Sequence, residues 1–219
     1  MGNRIVTVGL ALGLIISLSI TARQLAVGGL PGSHVGYEPI QPIAFSHRLH
    51  AGDLEISCAY CHWGVDRGRH AGIPAASVCM NCHRFVRSSF DVAEAEREAA
   101  DKEDRRLEPV TSADLQLLYD ALGLDAALRQ DEEATTTPIE WVQVHNLADF
   151  VYFDHRPHRR AGVRCLECHG TVASMERVSQ VRDLSMGWCI DCHRQSPERY
   201  AVGTDTPAAA SIDCSTCHF

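Results

Sequence analysis

The sequence predicts a mainly α-helical chain with long loops and little sheet, led by one apolar N-terminal helix. Three observations predict it. Five copies of Cys-x-x-Cys-His recur along the 219 residues, each the length of a single helical turn. Aromatic residues make up only 6% of the chain and sustained apolar periodicity is scarce, which is thin material for a conventional core. The opening stretch MGNRIVTVGLALGLIISLSITARQ holds 18 uncharged, mostly apolar residues between Arg4 and Arg23.

Residues 1–26 come first. At about 1.5 Å rise per residue the apolar run approaches the roughly 30 Å thickness of a bilayer's hydrocarbon interior. A charged start followed by an apolar run also describes a secretory signal. The run is longer than a usual signal core, and the small-residue site around Ala22 is weak, so we expect an uncleaved single-span anchor. One arginine on each flank gives little help with orientation.

All ten cysteines fall into the five repeats. They are Cys58–Cys61–His62, Cys79–Cys82–His83, Cys165–Cys168–His169, Cys189–Cys192–His193 and Cys214–Cys217–His218. Four-cysteine zinc sites need pairs of pairs, and five is odd. A thioredoxin-like dithiol needs one pair in an α/β frame and no following histidine. Disulfides give no reason for a histidine after every second cysteine. Covalent c-type haem accounts for every position. Two thiols three residues apart can add to the two vinyl groups on one porphyrin edge. On a helical turn, positions i, i+3 and i+4 share a face, so the next residue sets an imidazole under the iron as proximal ligand. The expected architecture is therefore a multihaem cytochrome c fold organised around five covalent haems, whose flat apolar surfaces supply the interior.

A second signature divides the chain. FSHRLH (Phe45, His47, His50) precedes Cys58, and FDHRPH (Phe153, His155, His158) precedes Cys165, with His47 standing 11 and His155 standing 10 residues before its cysteine. This spacing reads as a duplicated unit: a dihaem unit over 27–88 and a trihaem unit over 139–219. Low-spin electron-transfer haems need a sixth ligand each. Of the 12 histidines, seven remain after the proximal ones. In His-x-x-His the two rings lie one turn apart on one helical face and can serve two neighbouring irons. His47, His50, His155 and His158 are thus expected distal ligands. His70 and His145 are further candidates, with surface, core or propionate contact as the alternative. His34, in a Gly/Pro-rich linker, reads as unligated. Met175 and Met186 compete as thioether ligands, which would raise the potential relative to bis-histidine ligation.

Between the units, 89–138 is an acidic helical insert. Ser112 can cap a helix whose apolar side includes Leu115, Leu118, Tyr119 and Leu122. Residues 89–134 hold 14 acidic and 5 basic side chains, a net of −9 against −8 for the whole chain. The net acidity therefore resides in the insert, which is either a solvated helical surface or a docking face for a basic partner. No basic stripe points to nucleic acid.

The function class follows from the ligand inventory. Ammonia-forming nitrite reductases replace one motif histidine by lysine, and no Cys-x-x-Cys-Lys occurs. A catalytic haem needs an open iron position, whereas this chain offers a surplus of distal ligands. No cysteine is left for nucleophilic chemistry, so no catalytic residue is expected. Electron transfer remains, with the protein supplying ligands, spacing and polarity. Because c-type haems are attached outside the cytoplasm, the bulk of the chain is expected on the periplasmic side of the cell membrane.

The stretches FSHRLHAGDLEISCAYCHWGVDRGRHAGIPAASVCMNCH and VHNLADFVYFDHRPHRRAGVRCLECHGTVASMERVSQVRDLSMGWCIDCHRQ resemble the pentahaem cytochrome subunit of bacterial alternative complex III. The resemblance covers about 45–219 apart from the acidic insert, and its specificity lies in words such as AGIPA, DFVYF and LSMGWC. It implies a quinol oxidoreductase with multispanning quinol-binding membrane subunits and an iron-sulfur subunit. It further implies a monohaem cytochrome c subunit, or a soluble electron acceptor, downstream. On this reading the chain is an electron-transfer subunit and no enzyme by itself. The alternatives are a stand-alone membrane-anchored multihaem quinol dehydrogenase and a periplasmic multihaem electron shuttle.

Overall fold

The computed structural model describes residues 2–26, 33–131, 133–199 and 210–218. Within them every regular element is a helix or helical turn, joined by long loops. Pairing of the β type is confined to two isolated antiparallel bridges, Leu124 with Gln130 and Val151 with His218.

Helix α1 (Gly2–Ala26) stands clear of the rest, with apolar side chains such as Ile5, Leu10, Leu14 and Leu18 exposed. Its segment Arg4–Arg23 has a mean hydropathy of 2.3, long and apolar enough to cross a membrane. A signal sequence of this length and composition meets the same criterion.

The cysteine motifs lie in helices: α2 (Cys58–Cys61), the last turns of α3 (Ala76–His83), α7 (Cys165–His169), the middle of α8 (Met186–Arg199), and α9 (Cys214–Cys217). α2, α7 and α9 stay at about one turn, which is all the motif needs. The backbone bonds from His62 N–H to the Cys58 carbonyl (2.8 Å) and from His218 N–H to the Cys214 carbonyl (2.9 Å) close that turn, gathering both thiols and the imidazole on one side. Asp213 caps α9 by accepting from Ser215 N–H at 2.9 Å.

The two His-x-x-His segments also form turns. Arg48–Asp53 is a wide π-type turn following His47, and α6 spans His155–Arg160. Asp154 caps α6 by accepting from Arg156 N–H at 2.9 Å. Pro157 is tolerated there because first-turn N–H groups have no intrahelical acceptor.

The two halves interlock. The Arg48–Asp53 turn packs on the 3₁₀ turn Val172–Ser174, and α6 packs on the 3₁₀ turn Trp63–Asp66. Arg48 N–H donates to the Met175 carbonyl at 2.9 Å and its guanidinium pairs with Glu176. Gly52 is needed at this crossing, since a Cβ there would run into the Ala173 carbonyl oxygen.

The insert contributes α4 (Phe90–Lys102) and α5 (Ala113–Ala121). Ser112 caps α5 as expected, its Oγ accepting from Leu115 N–H. Among the described residues, the buried apolar side chains are Ala100, Leu118 and Tyr119, all in this insert. The segments bearing the cysteine motifs have no such core of their own.

Candidate haem-binding site

In the first half, Phe45 meets His47 edge-on at 4.8 Å between ring centroids (83° between planes) and lies against His50 at 4.3 Å and 26°. In the second, Phe153 meets His155 at 4.8 Å and 85°, and His158 at 4.7 Å and 31°. The duplication seen in the words FSHRLH and FDHRPH is therefore one of side-chain geometry. In both copies the second histidine turns its Nδ1 back onto the carbonyl four residues earlier, His50 to Ser46 (2.9 Å) and His158 to Asp154 (2.8 Å).

These histidines face the motif histidines in pairs. Ring centroids are 6.0 Å apart for His50 and His83, 6.0 Å for His158 and His193, and 6.4 Å for His155 and His169. An iron ligated from both sides at about 2 Å per nitrogen, with each centroid about 1 Å further out, requires rings about 6 Å apart. The residues present fit the group. His47 and His62 are also neighbours, since burial first and then the positive charges of His62 and His50 pull His47 down to about 4.

The ring nitrogens are sorted accordingly. Nδ1 hydrogen bonds tie His62 to the Gly72 carbonyl (2.6 Å), His83 to Val86 (2.8 Å), His193 to Ser211 (2.6 Å) and His155 to Arg69 (2.9 Å). With Nδ1 engaged, Nε2 is left as the nitrogen free to ligate, and the ring is held in orientation. Burial favours the neutral form: it is the main cause that lowers His145 and His158, and it takes His169 down to about 4 with help from His145, His155 and His62.

The thiols reveal which motifs are neighbours. Burial pushes Cys168 up to about 11, and Cys192 and Cys189 add to it. Cys61 is raised by burial and then by Cys82, Cys79 by burial and then Cys61, Cys165 by burial and then Cys58, and Cys189 by burial and then Cys217. Motif adjacency thus runs from Cys79–Cys82 to Cys58–Cys61, then to Cys165–Cys168, Cys189–Cys192 and Cys214–Cys217. Among the described residues, no group of three or more His, Cys, Asp or Glu converges to hold a bare metal ion.

The remaining candidates are scattered. His145 lies against His169, its Nε2 3.1 Å from His169 Nδ1. His70 is exposed, next to Arg69, whose guanidinium donates to the Phe153 carbonyl at 3.0 Å and sits 4.3 Å over the Tyr152 ring. Tyr152 N–H in turn donates to the Cys217 carbonyl at 2.7 Å. Met175 is half-buried beside Arg48, and Met186 is exposed at the start of α8. His34 makes an edge contact with Tyr37.

Sequence reasoning missed several supporting groups. Gln180, 1% exposed, accepts from Asn146 N–H and donates to the Arg182 carbonyl, both at 2.8 Å. Tyr119 donates its hydroxyl to the His83 carbonyl at 2.6 Å, docking the acidic insert onto α3. Nothing in the words around Gln180 announces its role. The sequence shows Tyr119 only as part of an apolar helix face.

Residues 151–219 match the profile of the family described as cytochrome c7 and related cytochrome c. The chain carries a multihaem cytochrome c domain. This cytochrome domain takes c-type haem with iron. The chain is also similar to a protein of Nitratidesulfovibrio vulgaris (strain Hildenborough) named menaquinone reductase, multiheme cytochrome c subunit. The two are 26% identical over 129 residues, 59% of this chain and 45% of the relative. The chain thus spans under half the length of that relative.

Proposed function

We propose that the chain is a pentahaem electron relay of a membrane quinol oxidoreductase. When bound, each haem supplies a reversible one-electron iron couple, tuned by its axial ligands. The observation that carries the reading is the opposition of histidine rings 6.0–6.4 Å apart, found once in the first half and twice in the second. It assigns His50 opposite His83, His155 opposite His169 and His158 opposite His193, and by the duplication His47 opposite His62. Cys58, Cys61, Cys79, Cys82, Cys165, Cys168, Cys189, Cys192, Cys214 and Cys217 hold the five porphyrins. For His218 we assign His70, because Arg69 reaches the segment that pairs with the last motif. Met186, three residues before Cys189, is the runner-up.

The motif neighbours found at the thiols make a path from Cys79–Cys82 to Cys214–Cys217, with the junction at Cys58–Cys61 and Cys165–Cys168. One end lies under the acidic insert and the other at the last motif. This suits a relay between two partners. The named relative, a cytochrome subunit of a menaquinone reductase, supports placement in such an assembly. The finer reading is an alternative complex III type assembly. In it, multispanning quinol-binding subunits and an iron-sulfur subunit lie upstream, and a monohaem cytochrome c or soluble acceptor lies downstream. The domain would sit outside the cytoplasm, anchored by α1.

Extraction of the native assembly in mild detergent tests this. Co-purification with large multispanning and iron-sulfur subunits is the expected result. A haem-only oligomer that quinol reduces directly would replace it with the stand-alone dehydrogenase, and a chain recovered without membranes would replace it with the shuttle.

A further inference from the structure

His169 differs from His62, His83 and His193 in what holds it. His62, His83 and His193 direct Nδ1 at backbone carbonyls, whereas His169 directs it at the Nε2 of a second imidazole, His145, at 3.1 Å. The two rings cross edge-to-face, 4.4 Å between centroids and 79° between planes. His169 therefore has two imidazole neighbours, His155 at 6.4 Å between centroids and His145 on its Nδ1.

The peptide that follows His145 is pinned at both its N–H and its carbonyl. Asn146 N–H donates to the side chain of buried Gln180 at 2.8 Å, and Gln143 Nε2 donates to the His145 carbonyl at 2.8 Å. Gln180 is itself fixed through its backbone, which accepts from Gly36 N–H at 2.8 Å and donates to the Tyr37 carbonyl at 3.2 Å. A buried polar side chain with this many partners is costly to move.

We propose that His145 is a positioning residue for His169: it accepts the Nδ1 proton of that proximal ligand and so fixes the ring and raises its basicity at the central motif of the path. The assignment rests on the multihaem reading above. With Nε2 occupied by His169, His145 stands outside the set of distal ligands. The mechanism is that of a second group behind a metal-bound imidazole. Accepting its N–H strengthens the ligand, favours the oxidised metal and lowers the potential.

The test uses the full chain matured with its haems, as wild type and as H145A, H145F and H145Q. Haem content, electron paramagnetic resonance and a spectroelectrochemical titration are read on each. The expected result for H145A and H145F is five low-spin haems with one of five potentials moved upward and its low-spin signal altered. H145Q, whose amide oxygen can accept, should move that potential back towards wild type. A high-spin, carbon monoxide-binding haem in H145A would make His145 an axial ligand and overturn the proposal. Unchanged potentials and signals in both H145A and H145F would overturn it as well. Fewer than five haems in the wild type would instead refute the pentahaem reading, which keeps the two failures distinguishable.

Discussion

Gly170 follows His169 at φ +71° and ψ −164°, a backbone conformation open essentially to glycine alone. A Cβ at this position would lie 2.7 Å from Val181 Cγ2 and 3.2 Å from Val181 Cβ. Gly170→Ala therefore meets two independent costs. Forcing the conformation costs about 1–3 kcal/mol, and pressing against Val181 costs about 1–3 kcal/mol more where the neighbour yields only in part. The expected loss is roughly 2–6 kcal/mol of stability, with distortion concentrated on the His169 haem. Denaturant unfolding of the haem-loaded chain, followed by Soret absorbance and helical circular dichroism, measures the loss. Val181→Ala in the same background should return most of the steric share and none of the backbone share. If G170A unfolds at the wild-type midpoint, the turn after His169 does not hold the stated conformation and the reasoning fails.

The remaining predictions follow from the same geometry. Alanine at His50, His155 or His158 should each yield one high-spin, carbon monoxide-binding haem, that of His83, His169 or His193 respectively; a change at a different haem would break the pairing. His70→Ala should open the His218 haem alone, and an unaltered His218 haem would pass that role to Met186. Tyr119→Phe removes one buried hydrogen bond to the His83 carbonyl and should cost about 1 kcal/mol, read by hydrogen exchange in α5, with haem content intact. Hydrogen bonds from Arg105 and then from Glu108 N–H lower Glu96 to about 2 from 4.5. A lowered carboxyl stabilises the fold above its unfolded value, so the insert's helicity should fall as pH drops from 4.5 towards 2. Glu96→Gln should remove that part of the acid transition.

What was legible in the sequence was whatever covalent spacing encodes. Cys-x-x-Cys-His fixes two thiols and an imidazole on one turn whatever surrounds it, and the duplicated Phe-x-His-x-x-His fixes two rings against one phenylalanine. Ser112 as a cap was readable for the same reason, its hydroxyl acting on a backbone N–H three residues away. Contacts made across the fold were not readable. The approach of Gly52 to Ala173 and the pinning of Asn146 by Gln180 join residues more than thirty positions apart. No local pattern marks them. His145 shows the limit most clearly: ligand counting puts it among the distal candidates, while its Nε2 lies on another histidine. The insert's many acidic groups were countable, but the ion pair of Arg105, beyond the end of α4, with Glu96 back on that helix became visible only in three dimensions.

The central claim is five low-spin haems held by this one chain. Haem-to-chain stoichiometry by mass spectrometry of the purified full-length protein, joined to its electron paramagnetic resonance spectrum, tests it most directly. The account predicts five thioether-linked haems per chain and low-spin signals throughout. Four or fewer haems, or a high-spin haem in the intact protein, would contradict it.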